Sequence, residues 1–418
     1  MCLAVAVTIG LAATPAQSQD LRWVRQFGTA GFDAVYGVSV TPRGSFYVVG
    51  IVSGPLPGQH YRGKSDAFIR KYAANGAVRW THQFGTAGYD TATAVFANAG
   101  GVYVVGKVSG ALPHQARQGG EDAYVRKYSP AGHVVWTRQF GTEAADEGGG
   151  VAADGTGVYV SGLTFGSFPG QSLAGNADAF LAKFDVDGNV LWTTEFGTVG
   201  FDSGSALSVD GSGVVIVGYV GGLYGGSLPG QLSAGDQDTY ARQYDPSGEI
   251  VWTDQFGTKK QDDATAVSVS STGVFVAGGT AGAFPGFTRK GAADGFLMQL
   301  GLDGSSGWTR QFGTPDRDGA WAIAATNSKV FVAGETFGTF RSGTSHGSGD
   351  AFVRAWKSTG KALWTRQFGT VASDTSTLDG AFAISTGPGG LLTGGAIWGA
   401  MRKQVGQGER DAFIVKLS

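Results

Sequence analysis

Seven near-copies of W-x-x-x-F-G-T punctuate this chain and constrain its fold more than any other feature. They open at Trp23, Trp80, Trp136, Trp192, Trp252, Trp308 and Trp364, at spacings of 57, 56, 56, 60, 56 and 56 residues. A second motif, D-A-F or a close variant, recurs seven times, at Asp66, Asp122, Asp178, Asp238, Asp294, Asp350 and Asp411. A period of this length holds four short strands, the content of one propeller blade. The expected fold is therefore all-β, a seven-bladed β-propeller with four-stranded antiparallel blades.

Composition agrees with that reading. A chain of 418 residues is long for one compact core, but in a ring of blades each unit packs only on its neighbours. Glycine is abundant at 72 residues while hydrophobics reach 42%, which excludes a disordered chain and marks many tight turns. Net charge is −2 and no basic, aromatic-interleaved stripe is present, so nucleic acid is excluded as a partner.

Residues 3–14 form an uncharged apolar run followed by Pro15-Ala16-Gln17-Ser18, with small residues placed for a cut after Ser18. Residues 1–18 thus read as a signal peptide, without the usual positive n-region. The alternative is a buried N-terminal strand or helix. The run is too short to span a bilayer, and no later stretch approaches that length, so no transmembrane segment is expected. Cys2 is the single cysteine and precedes the apolar run, so the mature chain would hold no disulfide. The expected product is a monomeric protein that is secreted, periplasmic or on the cell surface, with residues 19–418 forming one propeller domain.

Residues 90–141 serve as the type unit. D-T-A-T-A-V-F-A from Asp90, Gly101–Gly106, Asp122–Tyr128 and Val134–Phe140 are four short β-rich runs bounded by turn residues. We label such runs A to D from the axis outward. The first run is built from Ala, Gly, Ser, Thr and Val in most units, as the crowded axis requires. The later runs carry aromatics. Alternation puts Phe68, Arg70 and Tyr72 on one face, and Trp80, His82 and Phe84 on another. There they would fill the widening wedge between blades; the other reading is a binding stripe.

The chain ends carry the sharpest expectation. The motif Trp follows the D-A-F Asp by 14 residues in six units, but from Asp411 that step lands beyond Ser418. The unassigned copy Leu21–Gly28 would supply the missing outer strand of blade seven and close the ring, removing a free sheet edge.

Units such as D-A-F-L-A-K-F-D-V-D-G-N-V-L-W-T-T-E-F-G-T (178–198) resemble the bacterial SBBP (seven-bladed beta-propeller) repeats, and the resemblance covers essentially all of residues 21–418. It implies a propeller in a secreted, periplasmic or surface protein. It implies no reaction, since function belongs to the site and not to the fold.

Symmetry sorts the candidate residues: a type present in every unit serves the blade, whereas a single site breaks the repeat. Asp33, Asp90, Asp146, Asp202, Asp262 and Asp318 follow the motif Trp by ten residues, in the D–A loop. In blade seven the count gives Asp374 and alignment gives Asp379. With the D-A-F aspartates at the end of the B–C loops, these either fix loops by accepting backbone N–H bonds or hold calcium. Asp185-Val186-Asp187-Gly188-Asn189 has the look of a calcium loop but aligns with C–D turns. The B–C loops carry L-P-G-Q at Leu56–Gln59, Phe168–Gln171 and Leu228–Gln231, with partial copies at Leu112–Gln115 and Phe284–Phe287. Blades six and seven read as lacking it, and a rigid turn is the plain reading.

Residues that break the symmetry on the same rim are the ligand candidates. The column after the strand-B glycine runs Ile51, Lys107, Leu163, Tyr219, Gly279, Glu335, Ala396; the D–A loops add Glu143, Lys259, Lys260, Asp316 and Arg317; the B–C loops add His60, His114, His346, Tyr224 and Trp398. Tyr36, Trp321 and Phe382 hold matching strand-A positions in the neighbouring blades one, six and seven, where they either floor an apolar pocket or compensate packing. Gly343-Thr344-Ser345-His346-Gly347 fits G-x-S-x-G but lies in a Gly/Ser-rich loop, not at a strand-to-helix elbow. Five scattered histidines do not make a zinc site. The reading is a binding protein for an extracellular glycan, peptide or protein at the loop-rich rim. The alternatives are a secreted hydrolase or lyase, with Glu335 and Lys107 or Glu143 as acid/base groups, and a calcium-binding surface protein.

Overall fold

The computed structural model describes residues 21–341, 343–370, 379–401 and 403–418, leaving aside the Leu223 side chain. The leader expected at 1–18 and Asp374 lie outside the described residues. The described residues form seven separate four-stranded antiparallel sheets. In blade 1 the strands are Asp33–Val40, Phe46–Val52, Asp66–Tyr72 and Val78–Phe84. The type unit keeps its expected bounds almost unchanged, at Asp90–Asn98, Gly101–Val108, Asp122–Tyr128 and Val134–Phe140.

Blade 7 closes as the repeat count demands. Its strands are Gly380–Gly387, Gly390–Trp398, Arg410–Leu417 and, from the other end of the chain, Leu21–Phe27. Val24 pairs with Val415 and Phe27 with Ala412 across the seam. Each inner strand touches the inner strands of both neighbours, and that of blade 7 returns to that of blade 1.

Seven apolar clusters hold the ring, each shared by two adjacent blades. Strands B and C are therefore buried on both faces, which is why they read as continuous β-branched and aromatic runs. The motif residues bind one blade to the next. The Phe of each F-G-T meets the D-A-F aromatic of the following blade edge to face, with centroids 5.5–6.4 Å apart and planes at 83–90°. The guanidinium of Arg70 lies 4.1 Å over Phe27, as Arg126 does over Phe84. The indole N–H of Trp136, Trp192, Trp252 and Trp308 donates to a carbonyl in the next blade's C–D turn. Trp80 and His82 share a face and both pack on Tyr128. The aromatics are wedge filling, not a binding stripe.

Every inner strand carries a β-bulge. The register slips between Val35 and Gly37, and at the same place in the other six blades. The extra residues are Tyr36, Thr93, Gly149, Ser205, Thr265, Trp321 and Phe382. A bulge leaves one residue out of the ladder and re-aims its side chain. Here this happens on the strands that line the axis. Among the described residues no helix is long and apolar enough to cross a membrane.

Candidate functional site

The B–C and D–A loops do share one rim. The amide of Asp90 donates to Ser65, that of Asp202 to Ala177 and that of Asp318 to Ala293, tying the two loop types together at successive junctions. All fourteen candidate metal aspartates sit beneath this rim and are at most 2% exposed. They come in pairs: the D-A-F Asp of one blade and the strand-A Asp of the next flank the F-G-T glycine between them. A Cβ added to Gly197 would lie 2.5 Å from Asp178 Oδ1 and 2.6 Å from Asp202 Oδ2. This close approach is why all seven copies have glycine there.

Each carboxylate accepts from loop amides, while one oxygen each of Asp66, Asp178, Asp238, Asp262, Asp318, Asp350 and Asp411 is buried without a partner. Asp202 accepts from Thr198 N at 2.7 Å and Gly221 N at 2.8 Å; Asp178 accepts from Ala174 N. Burial pushes the carboxyls of Asp33, Asp262 and Asp379 up to about 6 against these hydrogen bonds, and the neighbouring aspartate of each pair adds repulsion. Asp90, Asp146, Asp202 and Asp318 shift upward for the same reason. These contacts support loop fixing. Among the described residues no three His, Cys, Asp or Glu side chains are grouped to hold a metal ion. Asp185 spends its carboxylate on the amides of Asp187 and Asn189, in the C–D turn that alignment predicts.

L-P-G-Q is a brace. Gln59 N donates to Leu56 O, closing the turn, while the Gln59 side chain accepts from Gln83 N. Gln83 in turn bonds Leu56 N, Gly54 O and Asp66. Blades six and seven have lost the L-P-G-Q letters, as the sequence reads, but keep parts of the brace: in blade six Gly343 N still donates to Phe340 O, with no side chain in the Gln59 place. Gln367 accepts from Phe340 N in blade six, and Gln404 accepts from Gln26 N in blade seven. There Lys403, at φ 62°, takes the left-handed turn position that Gly58 holds in blade 1.

The axial mouth is where the repeat breaks. The bulge aromatics of blades 6, 7 and 1 meet: Tyr36 and Phe382 are 5.9 Å apart, and Trp321 stands edge-on to Phe382 at 6.5 Å. The Arg410 guanidinium lies 5.3 Å from the Phe32 ring and 5.6 Å from Phe382. Glu335 is 6% exposed; burial raises its carboxyl pKa, while Arg317 and Arg410 oppose the rise. Burial likewise raises the Tyr36 phenol, with Arg410 opposing. On the far side of the axis Lys107 Nζ bridges Glu121 at 2.9 Å and Glu147 at 2.5 Å. Burial alone would lower the lysine pKa, and these two partners outweigh it. Tyr219 is half-buried near Asp263, Asp202 and Glu147, burial being the main cause of its raised pKa.

Arg317 thus lies near Glu335, and Lys107 and Tyr219 both lie near Glu147. Glu335 and Lys107 do not form the expected acid/base couple: they belong to blades 6 and 2, and each is neutralised locally. His60, His114, Glu143, Lys259, Lys260, Asp316 and Tyr224 are exposed on the loops. His346 Nδ1 lies 3.8 Å from Asp350, whose carboxylate also accepts from the His346 amide. Trp398 is tied into the rim by its backbone, its N–H donating to Asp379. The G-x-S-x-G run lies in a coil between strands Lys329–Thr336 and Asp350–Lys357, so there is no elbow, and the Ser345 hydroxyl donates to Gly347 O. Arg410, Glu121, Glu147, Asp263 and Gln237 were missed. The signal existed: the residue before the D-A-F Asp runs Ser65, Glu121, Ala177, Gln237, Ala293, Gly349, Arg410, and the second strand-A residue also varies around the ring.

No known protein-family profile matches the chain, so the SBBP resemblance carries the fold and no further. The regulatory protein FlaEY of Caulobacter vibrioides is 29% identical over 232 residues, spanning 50% of this chain and 24% of that protein. The chain therefore corresponds to about a quarter of that relative's length. The WD40 domain of Neurospora crassa Pan2 superposes with a TM-score of 0.51 at 10% identity, covering 95% of this chain and 96% of that domain. Raptor from Chaetomium thermophilum gives 0.53 at 9% identity, covering 95% and 30%. At such identities the likeness is one of fold alone.

Proposed function

We propose that this propeller is an exported, monomeric, non-enzymatic binding module that holds an extracellular glycan, peptide or protein at the axial mouth of the D–A/B–C face. The observation that carries this is the clustering of Tyr36, Phe382 and Trp321 with Arg410, at bulge positions where the other blades hold Gly, Ser or Thr. Aromatic and guanidinium groups together on a partly desolvated surface are the composition of binding hot spots. The mouth's acids and bases neutralise one another locally, within and between adjacent blades, which suits recognition better than proton transfer.

Glycan and peptide arrays probed with the full chain test the reading. Tyr36→Ala and Arg410→Gln should each abolish the retained signal, whereas Lys260→Ala on the outer loop should not. Retention in both mouth variants would overturn it. Export is checked by the N-terminus of protein recovered from the periplasm or medium, expected at Gln19; an intact Met1 in the cytosol would contradict it.

A further inference from the structure

A cavity of about 210 Å³ opens between blades 5 and 6 at the mouth, lined by Gln261, Asp263, Thr265, Arg317 and Trp321 among smaller residues. It exists because a column loses its side chain. Blade 5 has Gly279 where its neighbours have Tyr219 and Glu335, and a Cβ added there would meet nothing within 4 Å. Gly319, opposite Glu335 in blade 6, keeps the other wall low. The space is below the roughly 300–1,000 Å³ of drug-sized ligand sites. It holds about seven waters at ~30 Å³ each, the bulk of a single small ring.

We infer that this cavity binds one neutral pyranose unit of a glycan, with Trp321 as its stacking face and Asp263, Arg317 and Gln261 as its hydroxyl partners; the inference rests on the mouth-binding reading above. A sugar ring presents an apolar C–H face and an edge of hydroxyls, each both donor and acceptor. The wall supplies the complement: an indole, an acceptor-only carboxylate, a donor-only guanidinium and an amide that does both. Net charge argues against an ionic ligand. Arg317 faces both Asp263 and Glu335, and Arg410 faces Glu335 as well, so two guanidiniums meet two carboxylates and neither sign is left over. Asp263 is further fixed by the Gln237 side-chain amide, which donates to it. Trp321 stands edge-on to Phe382, and its buried indole N–H has no hydrogen-bond partner within the protein.

The test is saturation-transfer NMR on the full chain with D-glucose, D-galactose, D-mannose and N-acetyl-D-glucosamine, each at about 10 mM, where even a millimolar Kd gives strong occupancy. At least one sugar should show ring-proton transfer. Gly279→Leu, which installs the side chain blade 3 carries as Leu163, should weaken it at least about tenfold. Asp263→Asn, which keeps the volume, should weaken it too, with thermal unfolding of both variants near that of the parent. Transfer from none of the four sugars, or equal transfer in Gly279→Leu, would overturn the inference. If an array ligand is lost in Arg410→Gln but unaffected by Gly279→Leu, the pocket falls while the mouth reading stands.

Discussion

Two glycine-to-alanine changes should act in opposite directions, and the structure sets the size of each. In Gly197→Ala the new methyl would sit 2.5 Å from Asp178 Oδ1 and 2.6 Å from Asp202 Oδ2, so both oxygens must retreat to the 3.4 Å of an ordinary contact. Asp202 Oδ2 is held at 2.7 Å by Thr198 N and at 3.2 Å by the Thr198 hydroxyl, while Asp178 Oδ1 has no partner and its carboxylate is anchored through Oδ2, at 2.8 Å from Ala174 N. A retreat of that size breaks one or two hydrogen bonds to a charged group. At about 1.5–3 kcal/mol each, the loss is about 2–5 kcal/mol. Gly279→Ala meets nothing within 4 Å and does not sit at positive φ. It should be neutral or stabilise by up to about 1 kcal/mol, through the unfolded chain. Urea unfolding followed by tryptophan fluorescence reads both. A Gly197→Ala midpoint equal to that of Gly279→Ala would refute the paired-carboxylate account of F-G-T.

Four further outcomes are expected. Burial pushes the carboxyls of Asp33, Asp262 and Asp379 up to about 6 from the ordinary 3.8, so the folded state binds more protons in between; stability should fall as pH rises from about 4 to about 6 and then level off. The exposed turn aspartates Asp185, Asp245 and Asp303 shift the other way but carry no burial; urea midpoints that rise across that window would contradict the prediction. Arg354→Met should cost less than about 1.5 kcal/mol, since the guanidinium is stacked on Phe312 and Trp356 without a partner for Nε, and Met298 fills the matching place in blade 5; Arg354→Ala, which removes the stacked volume, should cost more in the same assay. Chelator should leave the melting temperature unchanged if the aspartates only fix loops, and a drop restored by calcium would revive the metal reading. Deleting residues 21–27 exposes the edge of Arg410–Leu417 and should produce oligomers by light scattering; a stable monomer would count against the seam.

The fold was legible because it was written seven times. Trp-to-Trp spacing gave the blades, and the step from Asp411 past Ser418 placed Leu21–Gly28 in blade 7. Repetition also explained F-G-T and D-A-F as blade parts before their contacts were known. The mouth was legible only in pieces. Tyr36, Trp321 and Phe382 stood out as bulky residues in a small-residue strand, but the bulge that puts them out of the ladder breaks the two-residue alternation and leaves no mark in the sequence. Arg410 and Asp263 escaped because their meaning depends on register: one precedes a loop-ending Asp, the other lies across from a glycine. L-P-G-Q misled in the opposite direction, since the turn survives in Met401–Gln404 once its residues have changed, held by backbone geometry and by Gln26.

The claim that function sits where the ring loses its symmetry is tested most directly by a crystal structure of the protein with a ligand retained from the arrays. Density against Phe382 and Tyr36, within reach of Arg410, is the predicted result. Density on the outer strands or on the opposite face, with the mouth unchanged, would contradict it.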